Sequence, residues 1–178
     1  MRSRVGTTVA LLVCIALTAC SSGAGGEATP SPTPTSLAVE PQPPHATGHM
    51  HLQLQPGLTV MTDDECRPEE ERRVCSADGT QSWAPIEEPA AATLVEARTH
   101  LAGGHTSWTV VLRFAPGSRA SLQRAARDAA ATGGVVLVMP DDRVLAAVPA
   151  PDVQGTSAVI TGLDKPTAWD LVAAFDAL

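Results

Sequence analysis

The chain has 178 residues, of which 44% are hydrophobic, and a formal net charge of -7 at pH 7. A negative surface repels nucleic acid and anionic lipid headgroups, which argues against DNA, RNA or electrostatic membrane binding. The length that remains after the N-terminal segments suits one domain of ordinary size.

The N-terminus has the features of an exported lipoprotein. Two arginines and an apolar run too short to span a bilayer form a signal peptide. This run ends in Leu17-Thr18-Ala19-Cys20, which resembles the bacterial lipobox, whose cysteine receives a diacylglycerol and becomes the first mature residue. We therefore expect a signal peptide at 1–19, lipidation of Cys20, and attachment to the extracytoplasmic face of the cell membrane through that lipid. An ordinary secretory signal or a short membrane anchor is the alternative.

Residues 20–51 are predicted to form a disordered tether. The stretch from Ser21 to Pro44 consists mainly of Gly, Ala, Ser, Thr and Pro. Because it has almost no large apolar side chain, burial cannot offset the entropy lost on ordering it. Its prolines favour extended conformations that hold the following domain away from the membrane. We expect the folded domain at 52–178.

Hydrophobic periodicity and turn residues mark the elements of this domain. In chain order we predict a strand at 108–114, a helix ended by Gly133-Gly134, a hairpin of strands at 135–139 and 144–148, a strand at 157–160 and a helix capped by Asp164. These elements predict the α+β class. The expected architecture is an antiparallel sheet of about four to five strands with two or three helices packed on it.

The order of these motifs resembles one known family, the head subdomain of the first large extracytoplasmic loop of SecD, a membrane subunit of the protein-export machinery. The resemblance covers about residues 52 to 178. Its motifs are the segment Leu52–Leu58, the turn Cys75–Thr80, the strand Trp108–Phe114, the pairs Pro116-Gly117 and Gly133-Gly134, the hairpin Val138–Val144 with Pro149, the segment Ile160–Gly162 and a final helix near Ala168. The chain departs from the family where Asp142 occupies the position of a turn glycine, which weakens that hairpin.

The resemblance implies a domain that contacts unfolded secretory polypeptide or another envelope protein. Binding of extended polypeptide needs an exposed strand edge, because backbone hydrogen bonds give affinity that tolerates different sequences. The edge candidates are the second arm of the hairpin and the short strand that follows it, where prolines limit uncontrolled pairing. We therefore single out as partner-binding residues Val144, Ala146, Val148 and Val159.

Catalytic motifs are absent from the sequence. It contains no Gly-x-Ser-x-Gly, no His-Glu-x-x-His and no phosphate-binding glycine loop. The acidic run that includes Asp63 and Glu71 lacks the glycine pivot of a calcium loop, so solvated charge explains it better. We expect no enzyme activity, no catalytic residue and no cofactor.

Cys66 and Cys75 are the cysteines that follow the lipobox. In an oxidising compartment two cysteines at this spacing favour a disulfide, which closes a small loop and adds about 2 to 3 kcal/mol if unstrained. A redox couple is the alternative, although it usually has the Cys-x-x-Cys spacing.

A histidine cluster suggests a different function. His45, His49 and His51 stand close together with Met50 between two of them. Imidazole and thioether groups suit copper or another soft to borderline metal, including zinc. His100 and His105 join the set only if the fold brings them near. Hydrated histidines at the end of a tether are the simpler interpretation.

The function expected from the sequence is that of a lipid-anchored, non-enzymatic envelope protein whose domain binds unfolded polypeptide or another envelope protein. A copper- or zinc-binding lipoprotein is the alternative from another class. A purely structural envelope module is a third, because a fold alone does not assign a function.

The lipid anchor is tested by Cys20→Ala. Because the thiol is the acceptor of the lipid, the variant should leave the membrane fraction or accumulate as an unprocessed precursor. Incorporation of labelled fatty acid, followed by cell fractionation, measures this. A wild-type chain that takes up no label would contradict the lipobox assignment.

Overall fold

The structure is a computed structural model that describes residues 42–60, 66, 73–101 and 106–178, which belong to one compact unit, Glu40–Leu178. The predicted signal peptide and the predicted lipidation site Cys20 lie outside the described residues. So does most of the predicted tether. Its last part is described, however, and it is a strand that begins at His45. The folded domain therefore starts before the expected boundary at Leu52.

The described residues form nine strands and two α-helices. The strands are β1 His45–Val60, β2 Val74–Cys75, β3 Ser82–Pro85, β4 Ala90–Leu101, β5 Trp108–Phe114, β6 Val135–Met139, β7 Ala146–Pro149, β8 Val153–Gln154 and β9 Ser157–Leu163. The helices are α1 Arg119–Thr132 and α2 Lys165–Asp176, with short 3-10 turns at Pro116–Ser118 and Ala150–Asp152. Neither α-helix in this part of the chain is long and apolar enough for a membrane crossing.

The predicted fold class is wrong in its architecture. In place of an α+β domain with four to five strands, the described residues form one large, curled antiparallel sheet with the order β2-β3-β1-β4-β5-β9-β8, to which β6 and β7 attach through β1. The strands that the prediction missed are mainly β1 and β4. Strand β4 is rich in alanine, which has a low strand propensity, so its pairing with β1 and β5 decides its conformation.

Individual elements of the C-terminal half follow the sequence pattern. Strand β5 spans the predicted range, and β6 and β7 form an antiparallel hairpin. Gly133 ends α1 in the left-handed conformation, with φ of 69°, and Asp164 caps α2 by accepting a hydrogen bond from the Thr167 N–H at 2.8 Å. Ser118 does not cap α1 with its side chain. Its hydroxyl instead accepts a hydrogen bond from the Thr93 N–H at 2.8 Å and ties the start of α1 to β4.

Strand β1 holds the sheet together because different parts of it pair with three strands. Its first part pairs with β4, and its second part pairs with β6 and then with β3. Leu54 has a partner on both sides, Ala90 in β4 and Val138 in β6. Gly57 likewise pairs with Pro85 in β3 and Val135 in β6, so β4 and β3 follow one another on one edge of β1 and β6 lies on the other.

The curl creates two hydrophobic cores that share β6. The main core lies between the sheet and both helices and includes Val136 and Val138 of this strand. The second core lies on the other face of β6 and consists of Trp83, Leu137, Met139 and Val144. Because successive side chains of a strand point to opposite faces, an unbroken apolar run is what a strand with two buried faces requires.

A ring of strand segments surrounds the second core. It runs from β1 through β3 to β2, crosses a parallel bridge between Ser76 and Val144, and returns through β7 and β6 to β1. The disulfide expected between Cys66 and Cys75 is present and links Cys66 to β2, which is part of this ring. A hydrogen bond from the Cys66 N–H to the Gly79 carbonyl, at 3.0 Å, also joins Cys66 to the turn that follows β2.

Gly134→Ala tests the close contact between β6 and β1. A Cβ at Gly134 would lie 2.5 Å from the Gly57 carbonyl oxygen, a backbone atom that cannot move without displacing β1. We expect a loss of about 2 kcal/mol or more in the free energy of unfolding, measured by denaturant titration. Gly117→Ala is the control, because its Cβ would meet nothing within 4 Å. Equal stability of the two variants would contradict the packing described here.

Candidate functional site

An open cleft of about 460 Å³ lies where β7, β9, α2 and the Asp78-Gly79 turn meet. We call it the β7–α2 cleft. Its apolar lining comprises Ala77, Trp83, Val144, Leu145, Ala146, Ala147, Ile160, Leu163, Leu171 and Ala174. Thr167, Asp170, Leu171 and Ala174 reach the cleft from one face of α2, since side chains three or four residues apart share a helix face.

Two strands reach this cleft with edges that have no strand partner among the described residues. Strand β7 pairs with β6 alone, and on its other edge only the preceding residue Val144 is bonded, to Cys75 and Ala77, so this edge has no partner from Ala146 onward among the described residues. Strand β8 covers β9 only at Ser157 and Ala158, which leaves Val159–Leu163 unpaired on the side away from β5. Unpaired backbone N–H and C=O groups at a sheet edge are a template for another strand.

The sequence limits how much of the β7 edge can pair. Pro149 ends the strand and Pro151 follows it in the short 3-10 turn. Since proline has no backbone N–H, it cannot donate a hydrogen bond to a neighbouring strand. The unpaired edge is therefore short, and the cleft lies at its Leu145 end.

Asp78 supplies one negative charge to the cleft. One of its carboxylate oxygens accepts hydrogen bonds from the Ser76 hydroxyl at 2.5 Å, the Thr80 hydroxyl at 2.8 Å and the Thr80 N–H at 3.1 Å. The bond from the Ser76 hydroxyl, followed by those from Thr80, lowers the pKa of Asp78 below its usual value. The turn thus stabilises the ionised form of this carboxyl group. Asp170, on α2, supplies a second carboxylate.

The structure brings two of the four predicted partner-binding residues to the cleft. Val144 and Ala146 line it, although their side chains are buried. Val148 is fully buried in the main core, and Val159 is half-buried and does not line the cleft. The prediction missed Asp78, Asp170 and the apolar residues of α2. The spacing of Thr167, Leu171 and Ala174 on one helix face was the sequence signal that could have indicated them.

The predicted metal ligands are not gathered into one site. His45, His49 and His51 all lie exposed on β1, where the register with β4 shifts between Thr47 and Met50. His45 faces Arg98 across the strands, and His51 faces Thr93. Within the described ranges no group of three or more His, Cys, Asp or Glu side chains is arranged to hold a metal ion. His105 lies outside the described residues.

His45 instead belongs to an ion-pair network around Glu96, whose side chain is 15% exposed. The Arg113 guanidinium donates to Glu96 Oε2 at 2.9 Å, and His45 Nε2 lies 3.1 Å from Oε1. Arg98 lies 3.8 Å from Oε1. Burial alone would raise the pKa of Glu96, but the hydrogen bonds from Arg113 and His45 and the attraction of the two guanidinium groups lower it below its usual value. This network ties β1, β4 and β5 together on the face away from the main core.

Comparison with protein-family models, with curated proteins and with solved structures found no match for this chain. The resemblance to the SecD head subdomain stays a prediction from the sequence.

Glu96→Gln tests the ion-pair network through its pH dependence. Because the folded-state pKa is lowered, the stabilisation by ionised Glu96 is present above the unfolded pKa of about 4.3 and is lost as the pH falls through the folded value. We expect a cost of about 1 kcal/mol at pH 7 that disappears in acid, measured by denaturant titration at several pH values. Glu88→Gln is the control, since Glu88 is exposed and forms no ion pair within the described ranges. A pH-independent cost would contradict the network.

Proposed function

We propose that this protein is a non-enzymatic module of the cell envelope that binds extended polypeptide at the β7–α2 cleft. The observation that carries the proposal is the unpaired edge of β7 beside an open apolar cleft. An extended segment that adds to such an edge obtains backbone hydrogen bonds whatever its sequence, and the adjoining side chains add a modest preference.

The dimensions of the site favour a weak and sequence-tolerant interaction. Strand β7 has four residues, and Pro149 is one of them. Only a few backbone hydrogen bonds can therefore form, each worth about 1 kcal/mol net. Apolar contacts with Leu145, Ile160 and Leu171 add to these bonds. We expect dissociation constants in the micromolar range or weaker, which suits transient contact with unfolded chains.

The N-terminal sequence supports a location for this activity. The predicted signal peptide and the predicted lipid on Cys20 would attach the domain to the extracytoplasmic face of the membrane. Chains that have just crossed the membrane are extended there and expose apolar side chains. A folded client offers no free strand, so the module should discriminate in favour of unfolded polypeptide.

Copper or zinc binding has weaker support from the geometry. His45 contacts Glu96, and His49 and His51 lie along an exposed strand where the described residues supply no third ligand. His49 and His51 share the exposed face of β1, while the nearest partner of His45 is the Glu96 carboxylate. The metal alternative therefore has no observation in its favour.

Ala174→Trp tests the cleft. The indole would occupy the space between α2 and β7 and should weaken binding of a short, neutral peptide of alternating Thr and Val by about tenfold or more. Ala173→Trp is the matched control, because Ala173 is the exposed neighbour on the same helix and does not line the cleft. Fluorescence anisotropy with labelled peptide gives the affinities, and circular dichroism shows whether both variants fold.

A second measurement tests strand addition without changing the protein. Peptides methylated at alternate backbone nitrogens lose the donors that pair with a strand edge but keep their side chains. We expect one of the two methylation registers to lose binding to the wild-type protein. Equal affinity of the Ala173→Trp and Ala174→Trp variants, or full binding of both methylated peptides, would contradict the proposal.

A further inference from the structure

The β7–α2 cleft carries a charge pattern that goes beyond strand addition. Its described lining includes two carboxylates, Asp78 and Asp170, and no Lys, Arg or His. Asp78 is held as a carboxylate by the Ser76 and Thr80 hydrogen bonds, and no cation of the described chain forms an ion pair with either aspartate. Neither aspartate thus has an ion-pair partner within the part of the chain that the structure describes.

Two cations close to the cleft, Arg143 and Lys165, contact groups other than the two aspartates. Arg143 donates to the Ala77 carbonyl at 3.4 Å, at the border of the cleft. Lys165, at the start of α2, places its ammonium 4.5 Å from the Trp169 ring centroid and 5.8 Å from that of Trp108. Such cation–π contacts hold the ammonium over the rings. Neither cation belongs to the cleft lining.

From this pattern we infer that the preferred occupant is an extended polypeptide segment with a basic residue next to apolar ones. The inference rests on the proposed function and adds the substrate class. A Lys or Arg side chain of the occupant supplies the positive charge that the cleft lacks, while its neighbours contact Leu145, Ile160 and Leu171. An acidic segment meets like charges and is rejected.

The size of this preference follows from the exposure of Asp170, which is exposed although it lines the open cleft. Ion pairs at exposed positions are weak and are screened by salt. We expect a basic peptide to bind about three- to tenfold more tightly than its neutral counterpart at low salt, and the difference to shrink as salt is added.

The test uses three labelled peptides that share an alternating Thr and Val backbone and carry Lys, Gln or Glu at the centre. Binding to the full chain is measured by fluorescence anisotropy at low and high salt, with EDTA present so that no divalent ion bridges the carboxylates. We expect the order Lys, Gln, Glu from tightest to weakest. Asp170→Asn should reduce the advantage of the Lys peptide over the Gln peptide by about threefold.

Asp176→Asn is the matched control, because it removes the same charge from the same helix at an exposed position that does not line the cleft. It should leave the preference unchanged.

If the Lys and Gln peptides bind equally to the wild-type chain, the polypeptide-binding proposal stands and the charge inference is wrong. If both aspartate variants lose the preference equally, net charge explains it and the inference is again wrong. If no peptide binds, the proposed function fails and this inference fails with it.

Discussion

The pairing of β1 with three other strands is the constraint on which the rest of the structure depends. Along one edge of β1 the partner changes from β4 to β3, while β6 pairs with the opposite edge across the point of change. The curled sheet that contains β1 has the main core and the second core on the two faces of β6. Strand β7 lies at an end of the pairing order, and its edge away from β6 has no strand partner from Ala146 onward in the described part of the chain. The β7–α2 cleft lies beside this edge.

The sequence predicted those elements whose limits are set by neighbouring residues. Gly133 ends α1 and Asp164 caps α2 through contacts within a few positions, and β6 shows its two buried faces as an unbroken apolar run. Strand β4 has no such local signal, because its alanines favour other conformations and only its two partners make it a strand. The number of strands was therefore wrong although most C-terminal elements were correct.

The candidate site was less predictable than the fold for a similar reason. Asp78 lies in a turn after β2 and Asp170 on the last helix, so only the tertiary structure brings them to one cleft. The strand positions chosen from the sequence were close to the site, but Val148 points into the main core, because alternation along β7 puts its larger side chains inside. The histidines stand close together in the sequence, but they lie along one extended strand, and the described ranges hold no group of three His, Cys, Asp or Glu side chains arranged to hold a metal ion.

The position of β6 between the two cores has a consequence for how the domain opens. Amide exchange with solvent requires the hydrogen bonds of a strand to break, and β6 has a strand on each side and a hydrophobic core on each face. Opening either core alone still leaves the opposite face of β6 covered. The two cores should therefore unfold as one cooperative unit rather than as separate subdomains, and the β6 amides should exchange only through global unfolding.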